Sequence, residues 1–233
     1  MEALLAGATS PEPPTLQALV PEADRDQAPA DLAALLSLLP QADLYLQDEV
    51  QLALHPTLTR LWCRRGRAGQ RRVEAPGDNG KVYGFGLVDW REGWLDYQLA
   101  AGRTAAPFAE QLARAVARSQ ARGRQAIVLA DNLGTHTPER SQLVRQVLSA
   151  CTGVLHLVYT PAYDPDANRI EWLFRVTRRA VTHNHHRRAM GHLILDAHTH
   201  FQGLQADPAA VLRHIGSPGV APSPAVVPLK AAA

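Results

Sequence analysis

The sequence predicts an α/β domain built on one mixed, five-stranded sheet flanked by helices. Three observations predict it. Two runs rich in aromatic and branched residues, parted by the turn-like Arg91-Glu92-Gly93, read as an antiparallel hairpin. Short, fully apolar runs that end in an acid read as buried parallel strands. Segments with apolar residues at helical spacing alternate with those runs, so each later strand is reached by a helical crossover and lies parallel to a neighbour.

In chain order, "PADLAALLSLLP" is expected to form a short helix that Pro40 closes. "ADLYLQDEV" (42–50) is a strand with an acidic end, followed by the basic, irregular "RLWCRRGRAGQRRV". "KVYGFGLVDW" (81–90) and "GWLDYQLA" (93–100) form the hairpin and complete a meander. The stretch 104–122 carries Phe108, Leu112, Ala115 and Val116 at helical spacing. "AIVLADN" (126–132) is a strand, and "TPERSQLVRQVLSA" is a helix with Thr137 as N-cap and Pro138 at the first helical position. "VLHLVYTP" (154–161) is the last strand, and "PAYDPDANRIEWLFRVTRR" (161–179) leads into a helix with Ile170, Leu173, Phe174, Thr177 and Val181 on its buried stripe. Residues 1–40 read as an extension, 41–215 as the folding unit, and the Pro- and Ala-rich 216–233 as a disordered tail.

The formal net charge is only +2, so a nucleic-acid partner has to be argued from where charge sits. The cations are nearly all Arg, with Lys at 81 and 230 alone, which suits bidentate phosphate contact but also follows from a GC-rich genome. Cys63 and Cys151 are isolated, excluding a disulfide scaffold and a Cys-based zinc site, and a reducing cytoplasm fits them best. No run approaches the roughly 20 apolar residues of a membrane span and the N-terminus has no signal-like basic region, so no membrane partner is expected.

Function in sheets of this kind gathers at the carboxyl ends of parallel strands, where Asp48 and Asp131 fall. Glu171 opens the helix after the last strand. Each acid alone has a plain structural explanation, since Asp ends strands and turns, and Asn168 with Glu171 spells a capping box. Together they make a set of hard oxygen ligands suited to Mg²⁺ or Mn²⁺. Such a set can hold two ions for in-line attack on a phosphodiester. The readings of Glu171 compete, because a Glu folded back onto its cap is turned from a metal.

The blocks "LYLQDEV", "RLWCRRGRAG", "KVYGFGLVDW", "IVLADNLGTHT" and "YTPAYDPDANRIEWLFR" resemble the catalytic domain of DDE transposases, in particular the bacterial insertion-sequence branch of the mariner superfamily. The resemblance covers about residues 42–215 and implies a ribonuclease H-like fold. It implies Asp48, Asp131 and Glu171 as the catalytic acids, two Mg²⁺ or Mn²⁺ ions as cofactor, and cleavage and strand transfer at element ends. The sequence departs from the family pattern at Arg169, where Pro is usual, at Asp164, where Ser is usual, and at Ala167, where Leu is usual; the three acids are intact. Relatives carry helix-turn-helix modules ahead of the first acid, which the acidic, Pro-rich residues before Ala42 do not spell. The implied protein is a catalytic half in the cytoplasm, at the nucleoid. Its partners would be transposon-end and target DNA, a separate helix-turn-helix half and a second copy of itself. Two alternatives stay open, an inactive relic that at most binds DNA, and a ribonuclease H-like nuclease without strand transfer.

Arg60, Arg64, Arg65, Arg67, Arg71 and Arg72 make a run that either grips phosphates or forms a solvated loop, with Trp62 as its packing anchor. Arg175, Arg178 and Arg179 fall off the buried stripe and offer a row for a DNA backbone or a merely solvated face. His183, His185, His186, His192, His198 and His200 admit a zinc reading, against which no HExxH motif and no Cys stands among them. His136, five residues past Asp131, reads as an orienting group or a turn histidine.

Overall fold

The computed structural model describes residues 41–69, 72–160 and 168–216. Its elements are β1 (Ala42–Ala53), β2 (Lys81–Asp89), β3 (Leu95–Ala100), α1 (Ala105–Gln120), β4 (Gln125–Ala130), α2 (Gln142–Ala150), β5 (Leu155–Tyr159), α3 (Ile170–Val181), α4 (Met190–Ala206) and α5 (Pro208–Ile215). The strands form one mixed sheet in the order β3-β2-β1-β4-β5. β1, β2 and β3 are the antiparallel meander, while β4 and β5 run parallel to β1. The expected helix ending at Pro40, the turn 161–167 and the tail after Gly216 lie outside the described residues.

β1 is the centre of the sheet, and its two sides are chemically different. Side chains alternate across a strand. Leu44, Leu46, Val50 and Leu52 belong to one core cluster with Ile170, Leu173 and Phe174 of α3 and Phe201 of α4. Tyr45 belongs to a second cluster with Phe108 and Leu112 of α1 and Val144 of α2. The remaining buried residues on the α1 side are polar, and each makes at least one side-chain hydrogen bond. Tyr45 shares a 2.9 Å hydrogen bond with Ser119, and Ser119 donates to Asp43 over 2.9 Å. Gln47 donates to Gln111 over 3.3 Å.

The two predicted helical stripes are buried as expected: Phe108, Leu112, Ala115 and Val116 on α1, and Ile170, Leu173, Phe174, Thr177 and Val181 on α3. Three expectations are corrected. β1 does not end at its acids but continues to Ala53, because its ladder with β2 pairs Tyr45 through Ala53 after the ladder with β4 has stopped at Leu46. The helix expected from Thr137 starts at Gln142, capped by Ser141, whose hydroxyl accepts from the Val144 amide. The Thr137 hydroxyl instead donates back to the Gly134 carbonyl, and Pro138 and Glu139 lie in a turn closed by the Ser141 amide on the Thr137 carbonyl. Trp62 is no packing anchor: it is 93% exposed, beside exposed Leu58 and Leu61, on a loop that neither core cluster reaches.

Helices α4 and α5 were not expected, since the histidines of that segment mask its stripe of Leu193, Ala197, Phe201 and Leu204. α4 covers the hairpin, with Phe201 stacked on Tyr97 at 4.8 Å between ring centroids. Asp207 accepts from the Ala210 amide to cap α5, and Gly216 ends it with a positive φ of 65°. Among the described residues, no helix is long and apolar enough to cross a membrane.

Candidate active site

The three predicted acids come from three elements that converge beside the centre of the sheet. Asp48 is an interior residue of β1, opposite Gly86 of β2. In the parallel ladder Leu46 lies opposite Leu129, so two residues further along each chain Asp48 draws level with Asp131, just past β4. Glu171 stands in the first turn of α3. Two local features bring α3 to that place. The Asn168 side-chain amide donates to the Gln47 carbonyl over 2.8 Å, fastening the entry to the helix to β1. Gly86 leaves room above the strand: a Cβ there would meet Phe174 and Ile170 at 3.0 to 3.2 Å, tighter than packed side chains tolerate.

The expected capping box is not formed. Asn168 is committed to Gln47, the position before Ile170 is Arg169 with no side-chain cap bond, and Glu171 bonds Arg178 through Oε2 over 2.8 Å. Arg169, where the family pattern has Pro, lies with its guanidinium 3.9 Å from the centre of the Trp172 ring. Glu171 still stands near enough to Asp48 for its charge to matter. Asp48 is nearly buried, and its carboxyl is held well above the usual carboxylate range, first by that burial and then by the negative charge of Glu171, Asp131 and Glu49; the Glu49 amide, donating to Oδ1 over 2.7 Å, opposes this only in part.

Asp131 behaves oppositely. Burial raises its carboxyl, but the hydrogen bond and charge of His136, the Leu133 amide and the charge of Arg103 outweigh that and hold it below its ordinary value. His136 lies wholly buried, with Nδ1 2.5 Å from Asp131 Oδ1 and Nε2 2.7 Å from Glu49 Oε1. Burial lowers the imidazole, but its bonds to Asp131 and Glu49 prevail and push it up to about 9. Glu49 and Arg103 were not singled out from the sequence. The signal for Glu49 is alternation: the neighbour of an inward acid on a buried strand points into the opposite layer.

The other candidates divide. Arg60, Arg64, Arg65, Arg67 and Arg72 are all exposed, and Arg71 lies outside the described residues. On α3, Arg175 and Arg179 are exposed while Arg178 is engaged by Glu171, so the expected row of three is not uniform. The zinc reading of the six clustered histidines fails among the described residues, where the one group of three ligand-type side chains within reach of a common ion is Glu49, Asp131 and His136. The histidines are taken up separately. His198 bonds the Tyr97 hydroxyl at 3.0 Å, and His200 bonds the Thr177 hydroxyl at 3.2 Å. His185 accepts from the Arg187 amide at 3.1 Å. Cys63 and Cys151 are free thiols.

Five strands ordered with β1 at the centre and helices on both faces define the ribonuclease H-like fold. Residues 43–201 match the family described as DDE superfamily endonuclease, and the chain belongs to that family. It is 27% identical over 181 residues to the insertion element IS630 uncharacterized 39 kDa protein of Shigella sonnei, a match that takes in 78% of this chain and 50% of that protein. The chain thus spans about half the length of the curated relative it matches. Its fold is similar to that of the Mos1 strand transfer complex, with a TM-score of 0.54 at 16% identity over 92% of this chain and 63% of that one. The mariner Mos1 paired end complex with Mg gives a TM-score of 0.56 at 18% identity over 84% of this chain and 59% of the other.

Proposed function

We infer that this chain is the catalytic core of an insertion-sequence transposase that cuts DNA at element ends and joins the freed end to target DNA, using Mg²⁺ or Mn²⁺ held by Asp48, Asp131 and Glu171. The observation that carries the reading is the state of Asp48: a nearly buried carboxyl whose nearest electrostatic influences include three further acids. Acids arranged this way repel one another, and a divalent cation relieves that repulsion with the hard oxygen ligands it prefers. The residues present therefore fit the cofactor. The chemistry that a pair of such ions supplies when bound is activation of an attacking water and stabilisation of the leaving oxygen in an in-line displacement.

The chain's own residues supply the rest. β1 fixes Asp48 on the face toward α3, and Asn168 holds Glu171 close to it. Arg178 pairs with Glu171, and a cation held by that carboxylate would compete with it. The exposed Arg64, Arg65 and Arg67 on one loop, with Arg175 and Arg179 on α3, offer phosphate contacts whose affinity falls with salt. The similarity to the IS630 protein and to Mos1 complexes supports DNA as the partner. A helix-turn-helix half, a second copy and a place in the cytoplasm at the nucleoid belong to the same proposal, carried by the sequence resemblance alone. The test is nicking of DNA carrying the element's ends, by this chain with any helix-turn-helix half restored, dependent on Mg²⁺ or Mn²⁺ and abolished by Asp131→Asn. Nicking that needs no divalent ion, or that survives the substitution, removes the catalytic reading and leaves the fold and family standing.

A further inference from the structure

Asp131 is the most exposed of the three acids for which the sheet and helices must set a direction. Its side chain is 41% exposed, it follows the end of β4, and apart from His136 the bond that restrains it is a long one, 3.3 Å from the Leu133 amide. His136, by contrast, is held from every side. Its ring lies against Phe108 of α1, with centroids 4.1 Å apart and planes 20° from parallel. Glu49 of β1 meets Nε2, and the Tyr159 hydroxyl of β5 donates to its carbonyl over 2.9 Å. Two elements thus fix the imidazole and a third fixes the backbone that carries it, and that imidazole touches the one acid that its own strand does not fix.

We propose that His136 is a positioning residue for the acidic centre: with Glu49 as its buried anchor it holds the Asp131 carboxylate by Oδ1 and so presents Oδ2 to a divalent cation. Both bonds to Asp131, from His136 and from the Leu133 amide, fall on Oδ1, which leaves the second oxygen for a ligand bond. The proposal rests on the reading of Asp48, Asp131 and Glu171 as the cation-holding acids. It also assigns Glu49 away from the metal. Oxygen and nitrogen ligands of one small cation, each roughly 2.1 Å from it, stand about 3 Å or more apart. The imidazole nitrogens here lie 2.5 and 2.7 Å from the two carboxylates, which is hydrogen-bond spacing and closer than two ligands of one small ion stand.

The test is Mn²⁺ binding to the free protein, read from the magnetic-resonance signal of unbound Mn²⁺, with thermal melting as the check on folding. His136→Gln, which keeps one polar arm but not the bridge, is expected to melt as a folded protein and to bind Mn²⁺ about ten-fold more weakly, the scale on which the hydrogen-bond partners of metal ligands act. Glu49→Gln should weaken binding in the same direction by less, because the imidazole remains in place. Nitrogen-15 spectra of the wild-type protein follow the His136 ring during metal addition, and its signals should stay away from a metal-bound position. Wild-type Mn²⁺ affinity in folded His136→Gln overturns the proposal. So does a His136 nitrogen signal that moves to a metal-bound position on Mn²⁺-free Zn²⁺ or Mg²⁺ addition, since the ring would then be a ligand. If His136→Gln does not fold, Glu49→Gln decides: unchanged affinity there overturns the anchored bridge. Asp131→Asn separates the two levels, because a variant that binds Mn²⁺ normally sinks the reading of the acids itself.

Discussion

The Asn168 side chain donates to the Gln47 carbonyl over 2.8 Å, a contact that spans 121 residues of chain and joins the start of α3 to the strand position beside Asp48. Both residues are buried, so the carbonyl has no water to turn to when the amide is removed. Asn168→Ala should cost about 1 to 3 kcal/mol, the range for stranding a buried polar group. Because the same contact sets where Glu171 stands, Mn²⁺ affinity should fall as well. Denaturant melts and Mn²⁺ titration of one preparation check both; loss of stability with unchanged affinity would make the contact purely structural.

Gly86 is the second device that lets α3 approach the sheet. Gly86→Ala places a methyl group at 3.0 to 3.2 Å from Phe174 and Ile170, neither of which has open space to retreat into. Overpacking of this kind costs about 1 to 3 kcal/mol. The helix that must give way carries Glu171, so metal binding should weaken together with the melting temperature. A stability equal to wild type would show that α3 has more play than its packing implies.

The bond between Glu171 and Arg178 is an ion pair with both side chains partly exposed, and it should contribute about 0 to 1 kcal/mol. Its removal matters more for the cation. In Arg178→Gln the Glu171 carboxylate no longer has a competing positive partner, so divalent ions should bind severalfold more tightly to the free protein while its melting temperature hardly moves. DNA affinity at low salt should decline. Tighter metal binding is measured by titration without DNA, and weaker metal binding would mean that Arg178 orients Glu171 instead of competing for it.

Asp48 supplies a pH dependence. An acid whose folded-state pKa is raised adds stability that is complete below its unfolded value of about 3.9 and is lost as pH rises through the raised value. Burial, and then Glu171, Asp131 and Glu49, raise Asp48. In chelator, its contribution should therefore be lost as pH rises from about 3.9 through the raised value. Asp48→Asn should melt higher than wild type at pH 7 without metal, and should lose most of the rise in melting temperature that Mg²⁺ gives wild type. Thermal melts with and without Mg²⁺ decide it; an Asn variant less stable than wild type in chelator would contradict the charge strain.

Much of this was legible in the sequence, for reasons that differ by element. The stripes of α1 and α3 were readable because one periodic face meets one core, and the hairpin because two strand-like runs flank a turn. The parallel pairing of β4 and β5 followed from their crossovers. What escaped depends on partners distant in the chain. The extent of β1 is set by β2, a strand that the local pattern around Asp48 does not show. Asn168 spells a helix cap, but a carbonyl brought up from β1 takes its amide. Trp62 looks like core by its size, but among the described residues no layer lies over its loop. The three acids were legible as candidates and His136 as an orienting group or a turn histidine, whereas Glu49 became meaningful only when its 2.7 Å contact with His136 brought two layers together.

The two-sided character of β1 has a further consequence for assembly of the fold. A slip of one residue in its pairing would send Asp43, Tyr45, Gln47 and Glu49 into the apolar layer beneath α3 and α4, and turn Leu44 and Leu46 toward Ser119 and Gln111. Every odd slip would strand several polar groups at once, so the polar row beneath α1 acts as a proofreading mark. The strand that carries the first acid can present one face only to each layer.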